Sequence, residues 1–335
     1  MVREVSRRRL IRSVLASAGM GAMAMPTYAI SKPKSHEWKM ALTWQKTLPG
    51  LGKGAVRLAR RIERLSRGRL KIKVFGGGEL VPPTGVFDAV SQNVVQMGHT
   101  APYYWLSKSK GCAFFCAVPG GLTSFEQSSW IYYAGGQKLW DELYAKFGLK
   151  SFMAGNTGTQ MGGWYNKEMN SVDDIKGLKI RMPGLAGEVI NSLGGSAQNI
   201  PPQELYSSME SGLIDATEWV GPWNDIALGF HKVAKHYYGP GFHEGGPALE
   251  LMVNKKEYDK LDKELQNIIK VACATENQVM TSEFYANNIK TFKVFEDKYK
   301  KKKKKFSEPL LKELFESSGD IVAQTATEGK IEKKI

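Results

Sequence analysis

The chain is 335 residues long, carries a formal net charge of +14, and is 42% hydrophobic and 24% charged. Those values fit an ordinary globular protein of about two domains and exclude global disorder, a collagen repeat and a disulfide mini-scaffold. No run of ~20 apolar residues occurs, which excludes a membrane-spanning body.

The basic excess is concentrated at two places. Residues 1–29 hold five Arg and one Glu, and residues 300–305 are six consecutive lysines. No readout motif accompanies this charge, so nucleic-acid binding does not follow from it. Cys112, Cys116 and Cys273 are too few and too unevenly spaced for a disulfide framework, and no histidine stands at metal spacing beside them.

In chain order, residues 6–12 read Ser-Arg-Arg-Arg-Leu-Ile-Arg. A weakly apolar stretch over 13–25 follows, then small residues ending at Ala29. This order resembles a twin-arginine export signal, too short to span a bilayer. It implies a mature protein working in the periplasm. Residues 37–42 read as a strand. Leu51, Ala55, Leu58, Ala59, Ile62 and Leu65 recur at helical steps, and Gly68 ends that helix. Leu70, Ile72 and Val74 alternate with lysines as a half-buried strand. Gly76–Gly78 is a loop, 83–92 a helix and 94–99 a strand. This alternation predicts an α/β lobe with a mostly parallel sheet over 30–148, and places Trp44, Gly76–Gly78, Tyr103 and Tyr104 on a ligand rim.

A second lobe is expected over 149–254. Its strands are read at 152–154, 161–165, 178–182, 214–217 and 248–253, and its helices at 185–193 and 203–211, with Pro202 in the first turn. From Leu261 to about Lys304 the pattern is continuously helical, roughly 60 Å long. That exceeds one small lobe, so the helix must brace both lobes or reach a second subunit. The lysine run reads as its solvated end. Residues after Phe306 read as polar with short helical stretches, and 255–335 as a helical region spanning the lobes.

The chemistry-bearing residues concentrate between Thr157 and Gly246. No Gly-x-Ser-x-Gly, His-Glu-x-x-His or phosphate-loop pattern is present. Glu218 and Glu244 could form a carboxylate pair for glycoside hydrolysis, but nothing in the sequence sets their separation. Binding uses the same residues more fully. Arg181 ends a predicted strand, where a guanidinium offers a fork that fits a carboxylate bidentately. Gln160, Glu218 and Glu244 are oxygen donors from separate segments, a set that favours hard cations such as sodium or calcium. Trp219 and Trp223 either wall a small apolar tail or pack in the core.

Gly162-Gly163-Trp164-Tyr165, the segment from Val172 to Arg181, the Met-Glu-Ser-Gly-Leu-Ile-Asp-Ala of 209–216 and the following Glu218-Trp219-Val220-Gly221-Pro222 together resemble the TRAP transporter solute-receptor family. Pro240-Gly241-Phe242-His243-Glu244-Gly245-Gly246-Pro247 is similar to the branch that binds 2-oxo and 2-hydroxy monocarboxylates. The resemblance implies an α/β, two-lobe periplasmic binding protein with a long C-terminal bracing helix, not an enzyme. It implies that Arg181 pairs with the ligand carboxylate, and that Gln160 contacts both cation and ligand. It implies further that Glu218, Trp219 through its backbone and Glu244 complete the set around a sodium or calcium ion. Tyr104, Trp219, Asn224 and Glu244 align with ligand-contacting positions. The implied partners are a membrane permease and a second copy of the chain, joined through the long helix; no nucleic acid is implied. His243 stands where an aromatic residue is expected. Two other classes remain open on residues alone: a periplasmic enzyme using Glu218 and Glu244, and an envelope-associated protein using the lysine run.

Overall fold

The computed structural model describes residues 34–299 and 303–335. The export signal read at 1–29 lies outside them. Ser35–Ile335 forms one unit built on two sheets, and each sheet begins from a simple pattern in the sequence.

In the first sheet, β1 (His36–Leu42) pairs in parallel with β2 (Leu70–Phe75), with Trp38 opposite Ile72. The intervening helix α1 (Leu51–Leu65) buries Leu51, Ala55, Leu58, Ala59 and Ile62, the stripe expected of its 3.6-residue period. A second helix, α2 (Val86–Ser91), leads to β3 (Met97–Thr100), which pairs in parallel with β1. Helices α3 (Ser124–Tyr133) and α4 (Gly136–Ala145) follow. Thr123 and Glu126 close a capping box at the start of α3, satisfying two otherwise orphaned amide donors.

The strand β4 (Leu149–Asn156) was expected to open the second lobe. It is the far edge of the first sheet, whose order is β2-β1-β3-β10-β4. The returning strand β10 (Ala248–Asn254) lies between β3 and β4, antiparallel to both. Two changes to the sequence reading result: 149–156 and 248–254 belong to the first sheet, and that sheet is mixed. The cause is non-local. β10 is buried along its whole length, so its near-continuous apolar run fits any central position and does not announce its neighbours.

The second sheet has the order β11-β9-β5-β8-β6-β7. Its members are β5 (Gly163–Tyr165), β6 (Lys179–Arg181), β7 (Ser196–Gln198), β8 (Ala216–Thr217), β9 (His236–Tyr238) and β11 (Lys303–Lys304). Helices α5 (Gly184–Ser192) and α6 (Pro222–Leu228) belong to this half. The lysine run is therefore not simply a helix end. The long helix α7 spans Lys263–Tyr299 among the described residues, and Lys303–Lys304 pair in parallel with β9. Lys304 also forms an ion pair with Glu168. The polar tail is likewise more ordered than expected. It forms one 20-residue helix, α8 (Glu308–Thr327), capped by Ser307 and burying Leu310 and Leu314 one turn apart.

The helix α7 joins the two halves. Its first part lies on β4 and α1, burying Leu265, Ile269, Ala272, Cys273 and Met280. Close approach depends on glycine at two sites. A Cβ on Gly54 would sit 2.3 Å from the Met280 methyl, and one on Gly155 would sit 2.5 Å from its sulfur. The last part of α7 packs on the second sheet, where Phe295 stacks on Tyr237 at 5.3 Å and lies 5.4 Å from Trp164. One chain thus uses the helix's full length. Phe295 is buried, Phe292 half-buried and Ile289 72% exposed. The three cysteines are free and buried, as expected of small apolar residues.

Candidate functional site

Arg181 is the last residue of β6, and Glu218 directly follows β8, the strand beside it. Parallel pairing brings their side chains together. Arg181 Nη1 donates to the Glu218 backbone carbonyl at 2.9 Å and forms an ion pair with Glu218 Oε1. Arg181 Nη2 donates to the Tyr104 hydroxyl at 3.2 Å. Tyr104 lies on a short 3-10 turn just past β3, so this bond ties the second sheet's site to the first. The indole of Trp219 lies 4.9 Å from the Arg181 guanidinium carbon, a cation–π contact in a desolvated place.

Glu244 comes from the loop before β10, and this loop is pinned to the Gln160 segment. Gln160 N donates to the Glu244 carbonyl at 3.1 Å, and Gly241 N to the Gln160 carbonyl at 2.9 Å. Gln160 Nε2 donates to Thr157 Oγ1 at 3.0 Å, which turns the amide oxygen the other way. His243 Nε2 lies 3.2 Å from Glu218 Oε2. Gln160, Arg181, Glu218, Trp219, His243 and Glu244 are all buried.

The electrostatics follow from that burial. Desolvation is the largest influence on Arg181 and works against its charge, yet Glu218, Tyr104, Tyr103 and Glu244 together outweigh it and hold the guanidinium above its ordinary pKa. Desolvation and then the negative charge of Glu218 push Glu244 far above the carboxylate range, with Arg181 opposing. Tyr104 is pushed up to about 12 by burial.

Among the described residues, four polar atoms here are buried without a hydrogen-bond partner: Gln160 Oε1, Arg181 Nε, Glu244 Oε2 and His243 Nδ1. Buried polar atoms are seldom left so, because each costs about 1–3 kcal/mol. Two of them are oxygens from the expected cation set. That donor chemistry fits a cation, with Gln160, Glu218 and Glu244 able to hold it.

Some expected residues do other work. Asn224 Oδ1 accepts from Trp219 Nε1 at 3.3 Å, and its Nδ2 donates to the Pro49 carbonyl at 3.0 Å. It orients the indole of Trp219. Trp223 packs edge-on against Phe284 of α7 at 5.3 Å, which is core packing. Trp44 is buried rather than on a rim, with its ring edge-on to His99 at 5.3 Å.

Asp225 was missed by the sequence reading. Its Oδ1 accepts from Val220 N at 3.3 Å and Gly221 N at 3.0 Å, and its Oδ2 from Trp164 Nε1 and Tyr237 OH. It therefore pins the loop that follows Glu218 and Trp219. Burial raises this carboxyl to about 7 despite the bonds from Tyr237 and Trp164. The available signal was its place in the first turn of α6 after Gly221-Pro222, where an acid suits the helix start.

Residues 43–328 match the model of bacterial extracellular solute-binding proteins, family 7. A TRAP periplasmic solute-binding protein from Pseudoalteromonas atlantica, solved with bound sodium and pyruvate, is 41% identical, covers 90% of this chain and 92% of its own, and superposes with a TM-score of 0.87. The chain belongs to this family of TRAP solute receptors. The receptor is also 39% identical to a TRAP solute-binding protein of Colwellia psychrerythraea solved with calcium and pyruvate, at TM-score 0.87 and the same coverage. A counterpart from Bordetella bronchiseptica, 33% identical at TM-score 0.88 over 90% of both chains, was solved as a mixed-occupancy dimer with calcium and picolinate. A monocarboxylate 2-oxoacid-binding periplasmic protein of Nostoc is 45% identical over 75% of this chain and 69% of its own. The family is one of transport receptors, and no helix among the described residues is long and apolar enough to cross a membrane.

Proposed function

We propose that this receptor captures pyruvate or a similarly small 2-oxo acid in the periplasm and delivers it to a TRAP permease, without chemical turnover. The observation that carries the reading is the partly satisfied cluster of Arg181, Glu218, Glu244 and Gln160. It has a buried cation to meet a carboxylate and orphaned oxygens to meet a metal ion. Arg181 neutralises the acid's carboxylate, which makes burying that charge tolerable. Gln160, Glu218, Glu244 and the Trp219 carbonyl hold sodium or calcium, whose charge would polarise the ligand's carboxylate and 2-oxo oxygens. Tyr104 and Trp219 fix the guanidinium plane, and Asn224 acts through Trp219. Closing of the two halves around the acid excludes water, a switching mode familiar in periplasmic receptors. The relatives that bind pyruvate support this choice of ligand over lactate, the 2-hydroxy alternative.

Residues 1–29 serve as a twin-arginine signal, removed on export. The receptor forms a homodimer through the exposed side of α7 around Ile289, a reading supported by the dimeric Bordetella relative.

A thermal-shift panel on the chain lacking residues 1–29 tests the function. It would contain pyruvate, 2-oxobutyrate, lactate and succinate, each with sodium, calcium or chelator. Pyruvate at a hundred times its Kd should stabilise the fold by about 2.7 kcal/mol, and chelator with sodium withdrawn should abolish the shift. A panel in which no monocarboxylate raises the melting temperature sinks the proposal.

A further inference from the structure

We infer that the outward face of α1 is a docking groove for an acidic segment of a protein partner, and that this partner is the periplasmic face of the permease. The partner's identity rests on the proposed delivery to a permease. Its acidic chemistry rests on the groove.

Lys53, Arg57, Arg60 and Arg64 follow one another along α1 at steps of four, three and four. At about 100° per residue they fall within about 60° of the helix circumference, opposite the stripe from Leu51 to Ile62 that faces the core. Lys53, Arg60 and Arg64 are exposed. A solvated helix face commonly alternates charge sign, and like charges one turn apart cost helix stability. The outer face of α1 bears that cost, with no acid inside the arc.

The neighbouring flank of the same helix shows what such a pattern binds. Arg57 and Arg61, one turn apart, both hold Glu276 of α7, through Arg57 Nε at 3.0 and 3.1 Å and Arg61 Nη1 at 2.6 Å. Arg57 also reaches Glu283 of α7 at 2.9 Å. Arg60 and Arg64 repeat this spacing, turned about 60° around the helix toward solvent. Among the described residues, no carboxylate forms an ion pair with Lys53, Arg60 or Arg64. One arginine pair of α1 is thus occupied by an acidic helix, and a second pair of the same spacing has no acid.

The face is also concave. Lys46, Lys53, Arg57, Arg60 and Arg64 border a groove of about 640 Å³, lined as well by half-buried Val56 and by one acid, Glu63. A planar layer of lipid headgroups meets only the rim of such a groove. The carboxylates of a polypeptide reach its walls, and an apolar side chain between them reaches Val56. The planar forks of Arg60 and Arg64 suit carboxylates in particular. Exposed ion pairs are individually weak, which suits a partner that must be met and left. The start of α1 is also tied to the other half. Asn224 Nδ2 donates to the Pro49 carbonyl at 3.0 Å, four residues before Lys53.

The test uses the chain lacking residues 1–29, loaded with pyruvate and calcium, and its TRAP permease in neutral phosphatidylcholine nanodiscs, read by surface plasmon resonance. Wild type should bind the discs. Its affinity should fall as salt rises from about 0.01 to about 0.15 M, where the Debye length shortens from about 30 to about 8 Å. The triple variant Lys53→Glu, Arg60→Glu, Arg64→Glu should bind more than ~tenfold more weakly and lose the salt dependence. Arg60→Gln with Arg64→Gln removes charge without reversing it and should lose part of the affinity, which keeps the test open if the triple variant misfolds. Full affinity in either variant, or no wild-type binding to the discs, overturns the inference. So does equal wild-type binding to phosphatidylglycerol vesicles without permease, which would assign the groove to lipid headgroups. The thermal shift produced by pyruvate is measured for each chain and should be the same in the variants as in wild type. Its absence in wild type with charge-dependent docking intact would strike the proposed ligand and not the groove.

Discussion

The receptor buries two arginine–glutamate clusters, and they are finished differently. At the α1–α7 contact, Glu276 is fully buried and both its oxygens are engaged, by Arg57 Nε at 3.0 and 3.1 Å and by Arg61 Nη1 at 2.6 Å. Arg57 continues to Glu283 at 2.9 Å. The guanidinium groups of this cluster reach solvent, with side chains 30% and 17% exposed. At the ligand site the arginine itself is buried, and Arg181 Nε, Glu244 Oε2 and Gln160 Oε1 are left without partners. The first cluster is complete and serves to staple α7 to the first sheet. The second leaves polar atoms unsatisfied, and in the proposed function an anion meets the arginine and a cation meets the oxygens.

Breaking the complete cluster should hurt folding and spare binding. Glu276→Gln leaves two arginines without their shared acid. It is expected to cost about 3 kcal/mol in urea unfolding, at the lower end for a buried pair because the guanidinium groups keep some solvent. Pyruvate affinity should stay unchanged by calorimetry. A loss of affinity matching the loss of stability would show the two clusters to be one energetic unit.

Glu250 sharpens the comparison, because it is a buried acid with donors and no base. Trp105 donates at 3.1 Å, Tyr144 at 3.2 Å, and Ser151 is bonded to the other oxygen. Burial still raises the carboxyl to about 7. The folded chain therefore holds this proton more tightly than the unfolded chain does. The resulting stability is full below the unfolded value of roughly 4.3 and drains away as pH rises through about 7. Glu250→Gln keeps the protonated shape. It should remove about 2 kcal/mol of the decline in unfolding free energy between roughly pH 5 and 8. An unchanged pH profile would refute a buried proton at Glu250.

Altering the incomplete cluster should do the reverse of Glu276→Gln. Arg181→Lys keeps the charge and loses the planar fork. Ligand affinity should fall at least ~tenfold, about 1.4 kcal/mol, with the ligand-free melting temperature nearly unchanged. Calorimetry showing full affinity would remove Arg181 from the ligand's surroundings.

Much of this was legible in the residues. The steps of Leu51 to Ile62 and the alternation of Leu70 to Val74 each belong to one element, so local period was enough. Arg181 and Glu218 were legible through the motifs around them, and parallel pairing of β6 with β8 explains their meeting. What failed was non-local. The place of β10 between β3 and β4 depends on segments 92 residues or more away in the chain. The strand at Lys303–Lys304 exists only because β9 offers an edge. The bonds of Asn224 to Trp219 and Pro49 were likewise not legible, because a side-chain amide goes where its partners are and Pro49 is distant in the chain.

The helix α7 is fixed to the two halves by unlike joints. Near its start, Glu276 is held by directional bonds that tolerate little displacement. Near its end, Phe295 stacks on Tyr237 and lies tilted against Trp164, contacts with less directionality than an ion pair. A rod welded at one end and resting on a bearing at the other gives way at the bearing. In the proposed closure around an acid, the travel falls on the contact of Phe295 with Tyr237 and Trp164. Trp164 is also the indole held by Asp225, whose other oxygen grips the loop behind Glu218 and Trp219. On that proposed closure the same aromatic ring would report both the arrival of the ligand and the swing of the frame, and its fluorescence is where the two can be timed against each other.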